Sequence, residues 1–265
     1  MAETQFILEG RGLRKEFGGL VAVADVDIRV RTGELHAIIG PNGAGKTTLF
    51  NLLTGTLRPT RGTVWFKGQD ITAVPLHRRV HLGIGRSFQI TNIFPNLTVL
   101  ENVRLAAQAL GRDSFKFWWH HRRFGRYIET ALQAIAQVGL QDRLIYPAAA
   151  LPHGDQRKLE LAILLASDAE LLLLDEPTAG MATEQVAPLV ETIRTIQRST
   201  GKTIMLVEHN MNVVMNVSDR ITVMHLGEVL AEGTPAEIAQ NETVQKAYLG
   251  ELYGDFAALI GGEGP

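Results

Sequence analysis

Short apolar runs alternate with amphipathic stretches along most of the chain. Phe6–Leu8 and Val21–Val30 cluster or alternate β-branched and apolar residues, as strands do. Leu35–Ile39 is a brief apolar run that closes on Gly40. From Lys46 the spacing turns helical, with Leu49, Leu52 and Leu53 on one face. Gly62–Gly68 predicts another strand between turn residues. Val99–Leu110 and Ile128–Val138 predict helices. Leu159, Ala162, Ile163 and Ala166 then recur at the i, i+3, i+4, i+7 spacing of an amphipathic helix. Leu171–Leu174 is apolar throughout, the pattern of a parallel strand buried on both faces. A helix over Glu184–Arg198, a strand over Thr203–Val207, a helix over Met211–Val217 and strands near Ile221–Met224 and Val229–Glu232 complete the order. Strands alternating with helices predict an α/β core with a parallel sheet. The strand-poor stretch from about 93 to 167 predicts a helical lobe inserted into that core.

Composition narrows the chemistry. The chain has 265 residues, with 26 Lys+Arg against 28 Asp+Glu and a net charge of −2. Such balance argues against a protein that wraps nucleic acid by neutralising phosphates. With 45% hydrophobic and 20% charged residues the chain has the composition of a globular protein with a substantial core. The absence of cysteine excludes disulfides, thiolate metal sites and a Cys nucleophile, and fits a reducing compartment. The first residues lack the basic-then-apolar form of a signal peptide. No apolar run approaches the roughly 20 residues of a membrane-spanning helix, so the expectation is a soluble chain whose membrane role is peripheral.

Gly40-Pro41-Asn42-Gly43-Ala44-Gly45-Lys46-Thr47 fits the phosphate-loop pattern G-x-x-x-x-G-K-[ST], between a predicted strand and a predicted helix. The glycines let the backbone turn tightly and aim amides at phosphate oxygens. The helix beginning at Lys46 adds its positive dipole end. Lys46 suits the β- and γ-phosphates, and the Thr47 hydroxyl suits Mg²⁺. The metal also requires a carboxylate. The apolar strand Leu171–Leu174 delivers Asp175 and Glu176 to its C-terminal end, where parallel sheets bind ligands. Asp175 is the candidate metal ligand, and Glu176 the group that polarises an attacking water.

With these motifs in one frame, the chain resembles the ATP-binding subunit of an ABC transporter, and most of all the branched-chain amino acid uptake type. Ser87-Phe88-Gln89 resembles the Q-loop, Leu151-Pro152-His153-Gly154-Asp155-Gln156-Arg157 stands at the signature position, and Ala179-Gly180-Met181-Ala182 stands at the D-loop. Val207-Glu208-His209 resembles the switch-histidine segment, and Phe17 sits where the family places an aromatic that stacks on adenine. Thr91-Asn92-Ile93-Phe94-Pro95 and Lys246-Ala247-Tyr248-Leu249-Gly250 resemble the amino-acid branch in particular. The resemblance implies a P-loop NTPase core with a mostly parallel sheet, an antiparallel β subdomain and the helical lobe. It implies one ATPase domain over about 1–255, with core at about 1–92 and 168–240, the lobe at about 93–167, and a C-terminal helix and tail at 241–265. It further implies ATP and Mg²⁺ as cofactors. Catalysis would fall to Glu176, His209 and Lys46, and metal binding to Thr47, Gln89 and Asp175. Nucleotide contacts would come from Phe17, Gly40–Thr48 (Thr48 included), Gln89, Leu151, His153, Gly154 and Gln156.

Three departures stand out. The usual signature Leu-Ser-Gly-Gly-Gln has Pro152 in place of Ser, which removes a hydroxyl and an N–H, and His153 in place of the first Gly. Ala182 cannot make the D-loop's cross-subunit hydrogen bond. Phe17 replaces the commoner Tyr, keeping the stacking face and losing the phenol.

The implied partners are two transmembrane permeases, a second ATPase subunit (identical or related) and, indirectly, an extracytoplasmic solute-binding protein, with no nucleic acid. The implied place is the cytoplasmic face of the cell membrane. Alternatives are an ABC-type ATPase acting on DNA or ribosomes, an importer of urea or amides, and a small-molecule kinase. Between Lys46 and Asp175 there are no sustained heptads, unlike chromosome-maintenance ATPases. The chain carries one ATPase unit, unlike tandem translation factors. A kinase would not explain Gln89, Gln156 and His209 together. Finally, Arg112–Arg126 mixes five basic residues with Trp118 and Trp119, a composition suited to a membrane interface or to a solvated connection packed on the lobe.

Overall fold

The computed structural model describes residues 6–87, 93–109 and 122–248. It begins with strands β1 (Phe6–Phe17), β2 (Leu20–Arg31) and β3 (Leu35–Ile39), helix α1 (Lys46–Thr54), then β4 (Arg61–Phe66), β5 (Gln69–Asp70), α2 (Leu76–Arg79) and β6 (Ile84–Arg86). Three helices follow: α3 (Val99–Ala109), α4 (Arg122–Gln137) and α5 (His153–Ala166). Next come β7 (Leu171–Asp175), α6 (Thr183–Thr200), β8 (Thr203–Val207), α7 (Met211–Val217), the hairpin β9 (Arg220–His225) and β10 (Glu228–Gly233), α8 (Pro235–Ala239) and α9 (Glu242–Tyr248).

The strands form two sheets. One is antiparallel, in the order β2-β1-β4-β5; the other runs β10-β9-β3-β8-β7-β6. In the second sheet every pairing is parallel except that of β10 with β9. The fully apolar strands follow from their position, because both faces are covered. Alternate residues part to opposite sides. Leu35, Ala37, Ile39, Leu172, Leu174, Ile204 and Leu206 join a core shared with α3, α4, α5 and α6. Ile38, Leu171, Leu173, Met205 and Val207 join a second core with α1 and the antiparallel sheet. Both cores therefore meet on the central sheet, and the sheet's C-terminal edge is held from two sides.

The elements differ from the apolar pattern at their ends. β1 runs to Phe17, well beyond Leu8, with register shifts after Gly10, Leu13 and Lys15 that break the period-two signal. α4 starts at Arg122 instead of Ile128 and α5 at His153, because a helix's first turn need not bury apolar residues. Two buried polar residues are not visible to periodicity at all. Arg79, 1% exposed, donates to the carbonyls of Leu53, Ile71 and Val74 at 2.7–2.9 Å. Burial lowers its pKa to about 10, so the guanidinium stays charged at neutral pH. Asn102, 2% exposed, accepts from the Phe94 amide and donates to the carbonyls of Phe94, Leu97 and Thr98, tying the entry of α3 to its own first turn. Among the described residues no helix is long and apolar enough to cross a membrane.

Candidate functional site

The loop from β3 to α1 is built around backbone angles that side chains resist. Gly43 and Gly45 have φ of 78° and 95°, and a Cβ on Gly45 would lie 2.4 Å from the Ala22 carbonyl oxygen. The first turn of α1, whose amides point out of the helix start, therefore follows the loop directly. Lys46 is 5% exposed, and its ammonium donates to the carbonyls of Gly40 and Pro41 at 2.7 and 2.9 Å. The cation thus lies folded over the loop that would cradle phosphate.

The facing wall comes from the ends of β6, β7 and β8. Asp175 closes β7, 5% exposed, and its amide donates to the Ser87 hydroxyl at 3.0 Å. Burial raises the Asp175 carboxyl above its ordinary pKa, and the Arg86 guanidinium, 3.6 Å away, pulls it back down. Arg86 in turn donates to Asn51 and Thr54 and lies over the Phe50 ring, joining β7 to α1. Glu176 follows in the left-handed region, φ 46°, and its carboxylate sits 2.7 Å from His209 Nε2.

Glu208 organises both catalytic candidates. It is 3% exposed and accepts from the Thr178 amide and hydroxyl at 3.0 and 2.7 Å, and from the His209 amide at 3.1 Å. The loop carrying Glu176 and the loop carrying His209 are thereby tied through one carboxylate. Neither Glu208 nor Thr178, Arg86 or Ser87 was singled out as a site residue from sequence. The one available signal was an acidic residue ending the apolar run Thr203–Val207. Replacing Glu208 with Gln should leave a buried amide group facing donors, at a cost of about 1–3 kcal/mol. We expect a lower melting temperature and a loss in kcat exceeding the loss in ATP affinity, read by thermal unfolding and steady-state hydrolysis.

Phe17, residues 42–48, Glu176 and His209 line one open cleft of about 590 Å³. Phe17 is 47% exposed, with the Lys15 ammonium 5.1 Å from its ring centre. The phosphate loop, the aromatic and the Glu–His pair are therefore brought together. Leu151, His153, Gly154 and Gln156 do not line that cleft. They stand at the start of α5, where Gln156 donates to the Leu151 carbonyl at 3.0 Å and Gly154 packs toward Met181 and Gln185. Pro152 is the N-cap of α5, with the Gln156 amide donating back to its carbonyl at 3.0 Å. Proline at this N-cap supplies neither a capping hydroxyl nor an N–H. Gln89, and Arg112–His121 of the basic aromatic stretch, lie outside the described residues.

The family profile described as "ABC transporter" matches residues 23–179, and one described as "Branched-chain amino acid ATP-binding cassette transporter" matches residues 228–253. The chain belongs to the family of ABC transporter ATP-binding subunits. It is 40% identical to the high-affinity branched-chain amino acid transport ATP-binding protein LivG of Salmonella typhimurium, over 94% of this chain and 99% of that one. It is 38% identical to BraF, the corresponding protein of Pseudomonas aeruginosa, over 92% and 98%. A crystal structure of an ABC transporter cassette in its ADP conformation superposes with a TM-score of 0.82, at 29% identity, over 94% of this chain and all of that one.

In a cassette of this family Thr47 and Asp175 would hold Mg²⁺ beside the nucleotide phosphates. A Thr47 hydroxyl and an Asp175 carboxylate are hard oxygen donors, and Mg²⁺ takes one or two such protein ligands beside substrate phosphates and water. The Asp175 carboxyl already faces one cation, the Arg86 guanidinium at 3.6 Å, so its surroundings accommodate a positive group. The donor set fits.

Proposed function

We propose that this chain hydrolyses ATP to drive uptake of branched-chain amino acids through partner permeases at the inner face of the cell membrane. The observation that carries the reading is the single cleft in which Phe17, the phosphate loop and the Glu176–His209 pair converge. The solute class follows from the likeness to LivG and BraF over nearly the whole chain. In this reading Phe17 stacks on adenine, the Gly40–Thr48 loop cradles the phosphates, and Lys46 neutralises the β- and γ-phosphates. Thr47, Asp175 and Gln89 hold Mg²⁺, which when bound spreads charge away from the transferring phosphoryl group. Glu176 orients the attacking water, and His209, held by Glu176 and Glu208, donates toward the γ-phosphate.

The signature residues Leu151, His153, Gly154 and Gln156 stand apart from the chain's own cleft, which supports a dimer in which each subunit completes the other's site. In that arrangement the amides at the start of α5 supply the anion contacts that Pro152 cannot make with a hydroxyl. Residues 93–167 act as the helical lobe that receives the permeases.

The test is reconstitution in vesicles with the two permeases and the second ATPase subunit. We expect ATP-dependent accumulation of leucine, isoleucine or valine, and none with Glu176→Gln. Uptake of urea or amides in place of these would replace the solute assignment while leaving the ATPase reading intact. ATP turnover stimulated by DNA or ribosomes, and indifferent to the permeases, would overturn the transport reading.

A further inference from the structure

The turn between β9 and β10 holds a residue in a conformation it should avoid. His225 and Glu228 pair directly, so the hairpin loop is the two residues Leu226 and Gly227. Their φ angles are 49° and 85°, the pattern of a type I′ turn, which favours Asn-Gly. A leucine there is strained, since positive φ crowds its Cβ. The β4–β5 turn places Lys67 at a similar φ of 50°, but Lys67 pairs with Glu170.

Leu226 is also 77% exposed. Among the exposed large apolar side chains of the described residues, Leu226, Leu20 (67%) and Phe17 (47%) line one and the same cleft, the one formed by the phosphate loop. Their placement is fixed by the backbone. The Gly227 amide donates to the Ala44 carbonyl at 3.0 Å, inside the phosphate loop, and the Ala24 amide donates to the Gly227 carbonyl at 2.8 Å. The turn is thus clamped to both the loop and β2, and Leu226 cannot drift from the cleft without breaking these bonds. Exposed apolar surface at a ligand cleft is covered when a flat apolar group enters, and a strained residue held at such a cleft points to a role there.

We propose that Leu226, with Leu20, forms an apolar seat for the nucleobase beside Phe17, so that the β9–β10 turn contributes to base binding while the phosphates are held elsewhere. The proposal rests on the reading of this cleft as an ATP site. It concerns the base alone.

The experiment measures dissociation constants of ATP and of tripolyphosphate, both with Mg²⁺, by calorimetry on the full chain and on two variants, together with melting temperatures without ligand. Leu226→Asn relaxes the turn, because Asn tolerates the left-handed region. Leu20→Ser removes the second apolar group from an exposed strand end. We expect each to weaken ATP roughly threefold to tenfold through lost apolar burial. Tripolyphosphate affinity should stay unchanged, and the melting temperature of Leu226→Asn should hold or rise. Unchanged ATP affinity in both variants would overturn the proposal. Parallel weakening of ATP and tripolyphosphate would also overturn it, by making the turn a support for the phosphate loop. If the unmodified chain bound tripolyphosphate as tightly as ATP, the base-binding reading of the cleft would itself fail, a result separable from the variants.

Discussion

With Glu176 replaced by Gln, the purified protein should still bind ATP but lose turnover by about 10²- to 10⁴-fold, the usual contribution of a positioned acid–base group. The carboxylate sits 2.7 Å from His209 Nε2 and lines the cleft shared with the phosphate loop. An amide of the same shape keeps the packing, but its oxygen is neutral and a poor acceptor for the proton of an attacking water. Its other end would also face His209 with a donor, loosening the histidine. ATP affinity should therefore move little while kcat collapses, the signature of an interaction made in the transition state. Slow hydrolysis should also let ATP-bound dimers accumulate, visible by size exclusion with ATP. Turnover near that of the unmodified chain would remove Glu176 from the reaction.

Replacing Lys46 with Ala should fail at an earlier step. The ammonium reaches back over its own loop to the Gly40 and Pro41 carbonyls, so its charge is already placed where phosphate oxygens would lie. Two charge-assisted hydrogen bonds lost from an anion site correspond to a weakening of ATP binding on the order of 100-fold. Tripolyphosphate should weaken equally, because the lysine acts on phosphate and not on the base. That equality separates Lys46 from Leu226, for which only the base-bearing ligand should respond. Calorimetry on both ligands decides the matter, and undiminished ATP affinity would contradict the role given to Lys46.

Much of the site was legible because its chemistry is local. Within the loop from Gly40 to Gly45, Gly43 and Gly45 take positive φ and Gly45 lies against the Ala22 backbone, positions that favour glycine, and Lys46 follows at the helix start. The apolar strand Leu171–Leu174 likewise announced that Asp175 and Glu176 stand at a sheet's C-terminal end. Phe17 and His209 were legible only through resemblance, since a lone aromatic or histidine carries no such local constraint. Glu208 was named only as part of the switch-histidine segment, because its role comes from its bonds to the Thr178 and His209 amides, and Thr178 lies 30 residues away in the chain.

The sequence by itself determined the alternation of strands and helices, the phosphate loop and the carboxylates after the buried strand, since period and spacing act between near neighbours. Only the tertiary structure decided which strands adjoin, placing β3 between β8 and β9 and β7 between β8 and β6. That order brings Lys46, Glu176 and His209 to one edge. It also decided that Arg86 joins Asp175 to α1, and that the β9–β10 turn carries Leu226 against the phosphate loop. These contacts link residues far apart in the chain. They arise because an apolar strand pattern marks burial on both faces equally well for any neighbour, and register is chosen only when the two cores pack together.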